Sequence, residues 1–250
     1  MRFRLKYAFF WTLFTTITMF GCSPVSENAA RKGRIDAIVG ENLGPRSVRE
    51  LQPTAESLVD PSTRMIIHSY GSTIKKYADE YGFDWRLILA VMKAESRFSR
   101  EAESDKGATG LMQIMPMTSN EVGKVLEIKD MAHPKNNIRG GVYYLRKLYN
   151  LFEGAEPSDR IKLTLAAYNA GIGRVYDAQV LAAYFHDNPR KWDAIRDALP
   201  LLSKRFYTLH RNIWGQDKPR VAGWFGNSRE TLAYVDRIMD YYDEYRLLLN

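Results

Sequence analysis

The sequence predicts a predominantly α-helical protein. One globular domain over residues 65–250 follows an N-terminal signal (1–21) and a tether (22–64). Three observations carry that reading. Beyond about residue 65, apolar side chains recur at three- and four-residue intervals, the mark of helices with one face in a core. Short loops separate those periodic stretches. With 45% apolar and 26% charged residues in 250, the chain has the composition of a globular protein and enough length for a substantial core.

The elements are taken in chain order. Residues 1–21 carry Arg2, Arg4 and Lys6 ahead of the mostly apolar stretch Tyr7 to Phe20, the layout of a secretory signal. Gly21-Cys22 closes it. Cys22 is the single cysteine, so it has no disulfide partner within the chain. It resembles a bacterial lipoprotein acylation site, although Met19 and Phe20 depart from the usual Leu and small residue before it. An uncleaved anchor is the other reading, but fourteen residues are short for a membrane span. Either reading places the chain on the envelope side of a membrane, and Ser23 is compatible with sorting to the outer membrane. Residues 23 to about 64 scatter Pro, Ser, Glu and Arg without sustained periodicity and read as a tether, with a short helix near Val48 to Leu58.

Asp84 to Phe98 reads as an amphipathic helix. Asp84 is its expected N-cap, because a short carboxylate can accept from the first free backbone N–H groups. Trp85, Ile88, Leu89, Val91 and Met92 form one buried stripe. Glu95 falls three residues after Met92 and seven after Ile88, on or beside that stripe. Desolvation there raises a carboxyl pKa above the ordinary value of about 4.3, and a carboxylic acid that keeps its proton near neutrality can serve as a general acid. A partly buried Glu paired with Lys93 or Arg97 is the plainer reading of Glu95 alone.

Two phrases downstream change that balance. In Gly107-Ala108-Thr109-Gly110-Leu111-Met112-Gln113, glycines allow tight turning and close approach to a ligand. Gln113 offers both a donor and an acceptor, suited to sugar hydroxyl and N-acetyl groups. Leu111 reads as core, whereas Met112, Ile114 and Met115 fit core and cleft wall equally. Asn137 to Phe152 is a further amphipathic helix. Asp159 to Asn169 is another, ending in Ala167-Tyr168-Asn169-Ala170-Gly171 with Gly171 placed for a left-handed terminus. Tyr168 there can offer a flat apolar face to a sugar ring. Trp192, Trp214 and Trp224 follow, each as well suited to a core as to a groove. Thr231 to Leu249 is the last amphipathic helix.

Several chemistries find no support. The four histidines show no metal-ligand spacing, no Gly-x-Ser-x-Gly phrase appears, and no basic-aromatic motif points to nucleic acid. Neither a metal nor a cofactor is expected. The net charge is +7. Without residues 1–21, 33 basic side chains face 29 acidic ones, a balance of +4 that suits an anionic polymer.

Glu95-Ser96, Gly110-Leu111-Met112-Gln113, Ala167-Tyr168-Asn169-Ala170-Gly171 and Glu230-Thr231-Leu232-Ala233-Tyr234-Val235 stand in the order seen in lytic murein transglycosylases. From about residue 65 to 250 the chain resembles their soluble-lytic-transglycosylase catalytic module, glycoside hydrolase family 23. The stretch Asn188 to Tyr245, with Leu199-Pro200-Leu201-Leu202-Ser203, looks most like the end of the membrane-bound F members. Those members usually carry a solute-binding-like domain ahead of the module, and the residues between Cys22 and the first catalytic helix are too few for one. The resemblance implies a lysozyme-like fold of the α+β superfamily and a peptidoglycan substrate. It makes Glu95 the general acid and then the general base. It sets Ser96, Ser104, Gln113 and Met115 at positions that contact the sugar or orient the acid. Tyr168 and Asn169 would line the cleft, Tyr234 would hold the carboxyl, and Glu230 is a weaker candidate. The implied product is a 1,6-anhydro sugar formed with help from the substrate's own N-acetyl group. No Asp or Glu occurs from Lys106 to Asn120, which fits a route with one carboxylate, though Glu101, Glu103 and Asp105 lie close in sequence. A goose-type-lysozyme-like hydrolase and a catalytically silent peptidoglycan-binding scaffold are the competing expectations.

Overall fold

Proline punctuates this chain. Pro61, Pro116, Pro134 and Pro157 each open a helix, where the missing N–H has no partner to lose and the fixed φ already suits the helix. The structure is a computed structural model that describes residues 58–249. The signal, Cys22, the tether up to residue 57 and most of the expected helix near Val48 to Leu58 lie outside the described residues.

The helices are α1 (Pro61–Glu80), α2 (Trp85–Ser96), α3 (Pro116–Leu126), α4 (Pro134–Asn150), α5 (Pro157–Ala170), α6 (Ile172–Tyr184), α7 (Trp192–Ala198), α8 (Tyr207–Trp214) and α9 (Ser228–Leu248). Two 3₁₀ turns, Leu199–Leu202 and Lys204–Phe206, join α7 to α8. The predominantly helical architecture expected from the sequence is the one found. Its β component, among the described residues, is two isolated antiparallel bridges, Glu103 with Thr109 and Thr109 with Ile114.

Asp84 caps α2 as expected, accepting from the Arg86 N–H at 2.9 Å. The helix itself differs from the amphipathic expectation. Leu87, Ile88, Leu89, Ala90, Val91 and Met92 are all buried, at most 2% exposed, so α2 is sheathed on every side and not along one stripe. The sheath comes from α1 on one side and the long α9 on another. Burying each large aliphatic side chain contributes about 1.5–3 kcal/mol relative to exposure, which makes α2 the anchor of the core. Arg97 (φ 50°) and Phe98 (φ 67°) then turn left-handed and end the helix two residues before the predicted Phe98 limit.

Polar ties fix α1, α2 and α9 against one another. Asp60 caps α1 through the Thr63 N–H at 3.0 Å and accepts from Lys93 Nζ at 2.8 Å. The Thr63 hydroxyl shares a 2.9 Å hydrogen bond with the buried Tyr245 phenol of α9. Tyr242, also on α9, donates to the Asp84 cap at 3.0 Å. Helices α4, α5, α6 and α7 pack in succession beyond this group, with α5 touching α9. Glu95 therefore sits at the C-terminal end of the most buried helix, where α5 and α9 meet it.

Candidate active site

Glu95 is the one polar side chain that closes the apolar run of α2 over open space. It is half-buried and lies in the wall of a cleft of about 480 Å³. Burial drives its pKa up to about 7, against the opposing pull of the Tyr234 hydrogen bond and the Arg237 charge. Tyr234, buried on α9, donates its phenol proton to Glu95 Oε1 at 2.5 Å. Burial and the Glu95 charge hold the Tyr234 phenol well above its usual pKa, so it stays a donor throughout the neutral range. One carboxyl oxygen is thereby engaged.

The Gly110-Leu111-Met112-Gln113 loop is clamped by side chains from three helices. Ser96 of α2 donates to the carbonyls of Met92 (3.1 Å) and Leu111 (3.0 Å). Tyr168 of α5 donates to the Met112 carbonyl at 2.7 Å. Asn137 of α4 accepts from the Met112 N–H at 2.8 Å and donates to the Thr109 carbonyl at 3.0 Å. Gly110 has φ 76°, and a Cβ there would stand 2.7 Å from the Asn137 amide carbon. Gly141 lets α4 approach equally closely, since a Cβ there would meet Met112 Cβ at 2.6 Å. Gln113 (φ 46°) donates its amide to the Ala102 and Gly110 carbonyls at 2.9 and 3.0 Å. The loop is a rigid ledge beside Glu95.

The structure gathers most of the candidates. Glu95, Ser104, Gln113, Met115, Tyr168 and Asn169 all line the cleft. Ser104 shapes its own loop by accepting from the Ala108 N–H at 3.0 Å, and Met115 is 41% exposed on the rim. Two candidates are not in the lining. Ser96 is 9% exposed and turns inward to the backbone, so it braces the ledge and does not face a sugar. Tyr234 is 3% exposed and meets Glu95 from behind. Tyr168 turns its hydroxyl into the protein and leans on Tyr144 with ring centres 5.6 Å apart. Gly171 has the positive φ anticipated (88°), but its ψ of 141° is extended and not left-handed helical, because it must turn the chain straight into α6.

The opposite wall was mostly unseen in the sequence. Trp224, Phe225, Gly226 and Asn227 line it with Arg174 and Thr231. Of the three tryptophans, Trp224 is 43% exposed in the cleft and Trp192 is core at 2%. The Thr231 hydroxyl donates to Asn169 Oδ1 at 2.7 Å, tying α9 to α5 across the floor. Glu230 is the second carboxylate of the lining and accepts from the Asn227 amide at 3.4 Å. Glu101, Glu103 and Asp105 are exposed and stand outside the lining. Among the described residues no three His, Cys, Asp or Glu side chains converge to hold a metal ion.

Residues 72–188 match the Transglycosylase SLT domain family. The protein carries an SLT domain. Curated relatives named membrane-bound lytic murein transglycosylase F share 37% identity in Desulfosudis oleivorans, over 68% of this chain and 35% of the relative. The Shewanella pealeana relative is also 37% identical, over 70% of this chain and 33% of its own length. The chain thus spans about a third of the length of the curated relatives it matches. Among solved structures, an inactive glutamate-to-glutamine mutant of lytic transglycosylase Slt from Pseudomonas aeruginosa superposes with a TM-score of 0.50 at 26% identity. That match covers 71% of this chain and 24% of the other. The 70-kDa soluble lytic transglycosylase bound to bulgecin A shares the fold, with a TM-score of 0.50 at 23% identity over 76% of this chain and 27% of its own. The SLT match takes in the ledge and Tyr168 and stops short of the Trp224 wall and of Tyr234.

Proposed function

We propose that this chain is a peptidoglycan lytic transglycosylase. It would cleave the β-1,4 bond between N-acetylmuramic acid and N-acetylglucosamine and leave 1,6-anhydro ends. The observation that carries the reading is Glu95: a carboxyl in the cleft wall, raised to about 7 and oriented by Tyr234. At neutral pH that group is divided between acid and base, as a residue that must give a proton and then take one should be.

The steps balance on one side chain. Glu95 gives its proton to the bridging oxygen as the bond to the muramyl C1 breaks. The muramyl N-acetyl carbonyl stabilises the positive charge at C1. The Glu95 carboxylate, supported by Tyr234 and by the positive charge of Arg237, then takes the proton of the muramyl C6 hydroxyl while that oxygen bonds to C1. Glu95 ends protonated as it began, and no water is consumed. Glu230, the other lining carboxylate, accepts locally from the Asn227 amide at 3.4 Å and is given no part in these steps. A glutamate-to-glutamine mutant of the similar Pseudomonas aeruginosa lytic transglycosylase Slt is inactive, which is in keeping with an essential glutamate.

The further organisation belongs to this reading. Residues 1–21 would be removed, Cys22 acylated, and residues 22 to about 60 would tether the domain that begins at α1 to the periplasmic face of the outer membrane. The name of the membrane-bound relatives is in keeping with that address. Among the described residues no helix is long and apolar enough to cross a membrane.

The test is mass spectrometry of fragments released from purified sacculi by the detergent-solubilised chain and by Glu95→Gln. Anhydro-muropeptides from the wild type are expected, with at least a thousandfold loss in the variant, since general acid–base help alone is worth about 10²–10⁴ per step. Reducing-end products would reassign the protein as a hydrolase. Binding to sacculi without release would reassign it as a scaffold.

A further inference from the structure

We infer that Asp177 is a positioning residue that holds the Trp224 wall of the cleft in its glycan-binding place. The inference rests on the proposed glycan-cleaving function for its purpose, and on geometry alone for the anchor.

Asp177 lies on α6, outside the cleft, and is fully buried. A buried carboxylate is costly unless its oxygens are satisfied. Both are, and by adjacent backbone donors: Oδ1 accepts from the Val221 N–H at 3.0 Å and Oδ2 from the Ala222 N–H at 2.8 Å. Charge-assisted bonds of this kind are among the stronger single ties available to a loop. The loop also sits hard against α6 one turn earlier. A Cβ on Gly173 would stand 3.1 Å from Val221 Cγ1 and 3.2 Å from Ala222 Cβ. One residue further on, past Gly223, Trp224 and Phe225 line the cleft.

Nothing in the loop itself would fix it so firmly. It carries no helix between α8 and α9 and no long apolar run. Other ties reach it through Asp217, which pairs with Arg211 and accepts from Trp224 Nε1 at 3.0 Å, through Lys204 Nζ 5.0 Å over the Trp224 ring, and through the Phe225 N–H, which donates to the Leu202 carbonyl at 3.0 Å. Asp177 is the tie to the helix that also carries Arg174, whose guanidinium lies 4.8 Å over the Phe225 ring. The carboxylate thus sets the distance between the α6 side of the cleft and its aromatic wall.

Two substitutions separate positioning from stability. Asp177→Asn keeps the shape but turns an amide N–H₂ toward one of the two backbone donors. Gly173→Ala leaves the carboxylate intact, pushes the loop outward by its new methyl, and favours the helix intrinsically. The full chain and both variants are compared on soluble glycan strands prepared from sacculi. In each variant KM should rise, about tenfold if the wall is competent one-tenth of the time, with kcat within twofold and the pH profile of kcat unmoved. Trypsin should cut after Arg220, an exposed residue next to Val221, faster in both than in the wild type. Unchanged KM and unchanged cutting in Gly173→Ala would overturn the inference, as would a fall in kcat alone. If Asp177→Asn does not fold, Gly173→Ala decides. Should the wild type cleave no glycan, the proposed function fails, while the rate of cutting after Arg220 still decides whether Asp177 is the anchor.

Discussion

Tyr234→Phe isolates one contact at the centre of the proposed chemistry. The change removes a hydroxyl and leaves the ring that fills the space behind Glu95, so packing is conserved. What is lost is the 2.5 Å bond to Glu95 Oε1. That bond favours the charged carboxylate and works against the burial that raises the group to about 7. A hydrogen bond to an ionised partner is worth about 1.5–3 kcal/mol. At 1.36 kcal/mol per pH unit, its loss moves the Glu95 titration to higher pH by about one to two pH units. The protonated carboxyl is the acid of the first step, so kcat/KM falls as pH rises through this pKa. The alkaline limb should therefore move to higher pH. The plateau should also drop, by about 10–100-fold, because an unanchored carboxyl delivers its proton from a looser position. Initial rates of fragment release from sacculi between pH 5 and 10 give both numbers. An alkaline limb that stays near pH 7, or moves to lower pH, would refute the assignment of Tyr234 as the partner that tunes Glu95.

Two further outcomes follow from the same geometry. Glu95 takes up its proton near pH 7 in the fold but near pH 4.5 in the unfolded chain. The folded state binds that proton more tightly, so the stability linked to it is complete below pH 4.5 and lost as pH rises to about 7. Glu95→Gln escapes this loss and should be more stable than the wild type at pH 8, by up to about 3 kcal/mol or roughly 5–10 °C in Tm, with little difference at pH 4. Thermal unfolding at both pH values checks it, and an equal difference at both would contradict the burial argument. Gly110→Ala forces a side chain onto a φ of 76° and drives its Cβ to 2.7 Å from the Asn137 amide. It should cost about 3 kcal/mol or more in urea unfolding, and a loss below about 1 kcal/mol would mean the ledge can shift at will.

Much of the helical layout could be read from local chemistry. Asp84 as a cap and the helix near Asp159 to Asn169, observed as Pro157–Ala170, follow from side chains acting within a turn or two. So did the prospect of a raised pKa at Glu95, because its place in the apolar period of α2 is a property of a dozen residues. Asn137 was invisible as anything more than a residue near a helix start. Its three bonds reach Met112, Thr109 and Met131, and the first two partners lie 25 and 28 residues away. The pair Gly140-Gly141 beside it held a signal that could have been used, since glycine in a helix interior is disfavoured unless something approaches closely. Ser96 was legible as a motif member but not as a brace, because its acceptor belongs to a loop 15 residues on.

The sequence by itself determined which stretches coil, where prolines and Asp84 start them, and that an acid would stand at the end of an apolar helix. Those outcomes rest on propensities and periodicities that act over a few residues. The family resemblance already set Tyr234 to hold the carboxyl, but only the tertiary structure, by packing α9 against α2, carries it across 139 residues to 2.5 Å from Glu95 Oε1. It alone decided that Trp224 would face the cleft while Trp192 entered the core, and that Asp177 would meet Val221 and Ala222. Each depends on how helices pack, and packing direction is set by the summed burial of many side chains, which no single stretch of this chain contains.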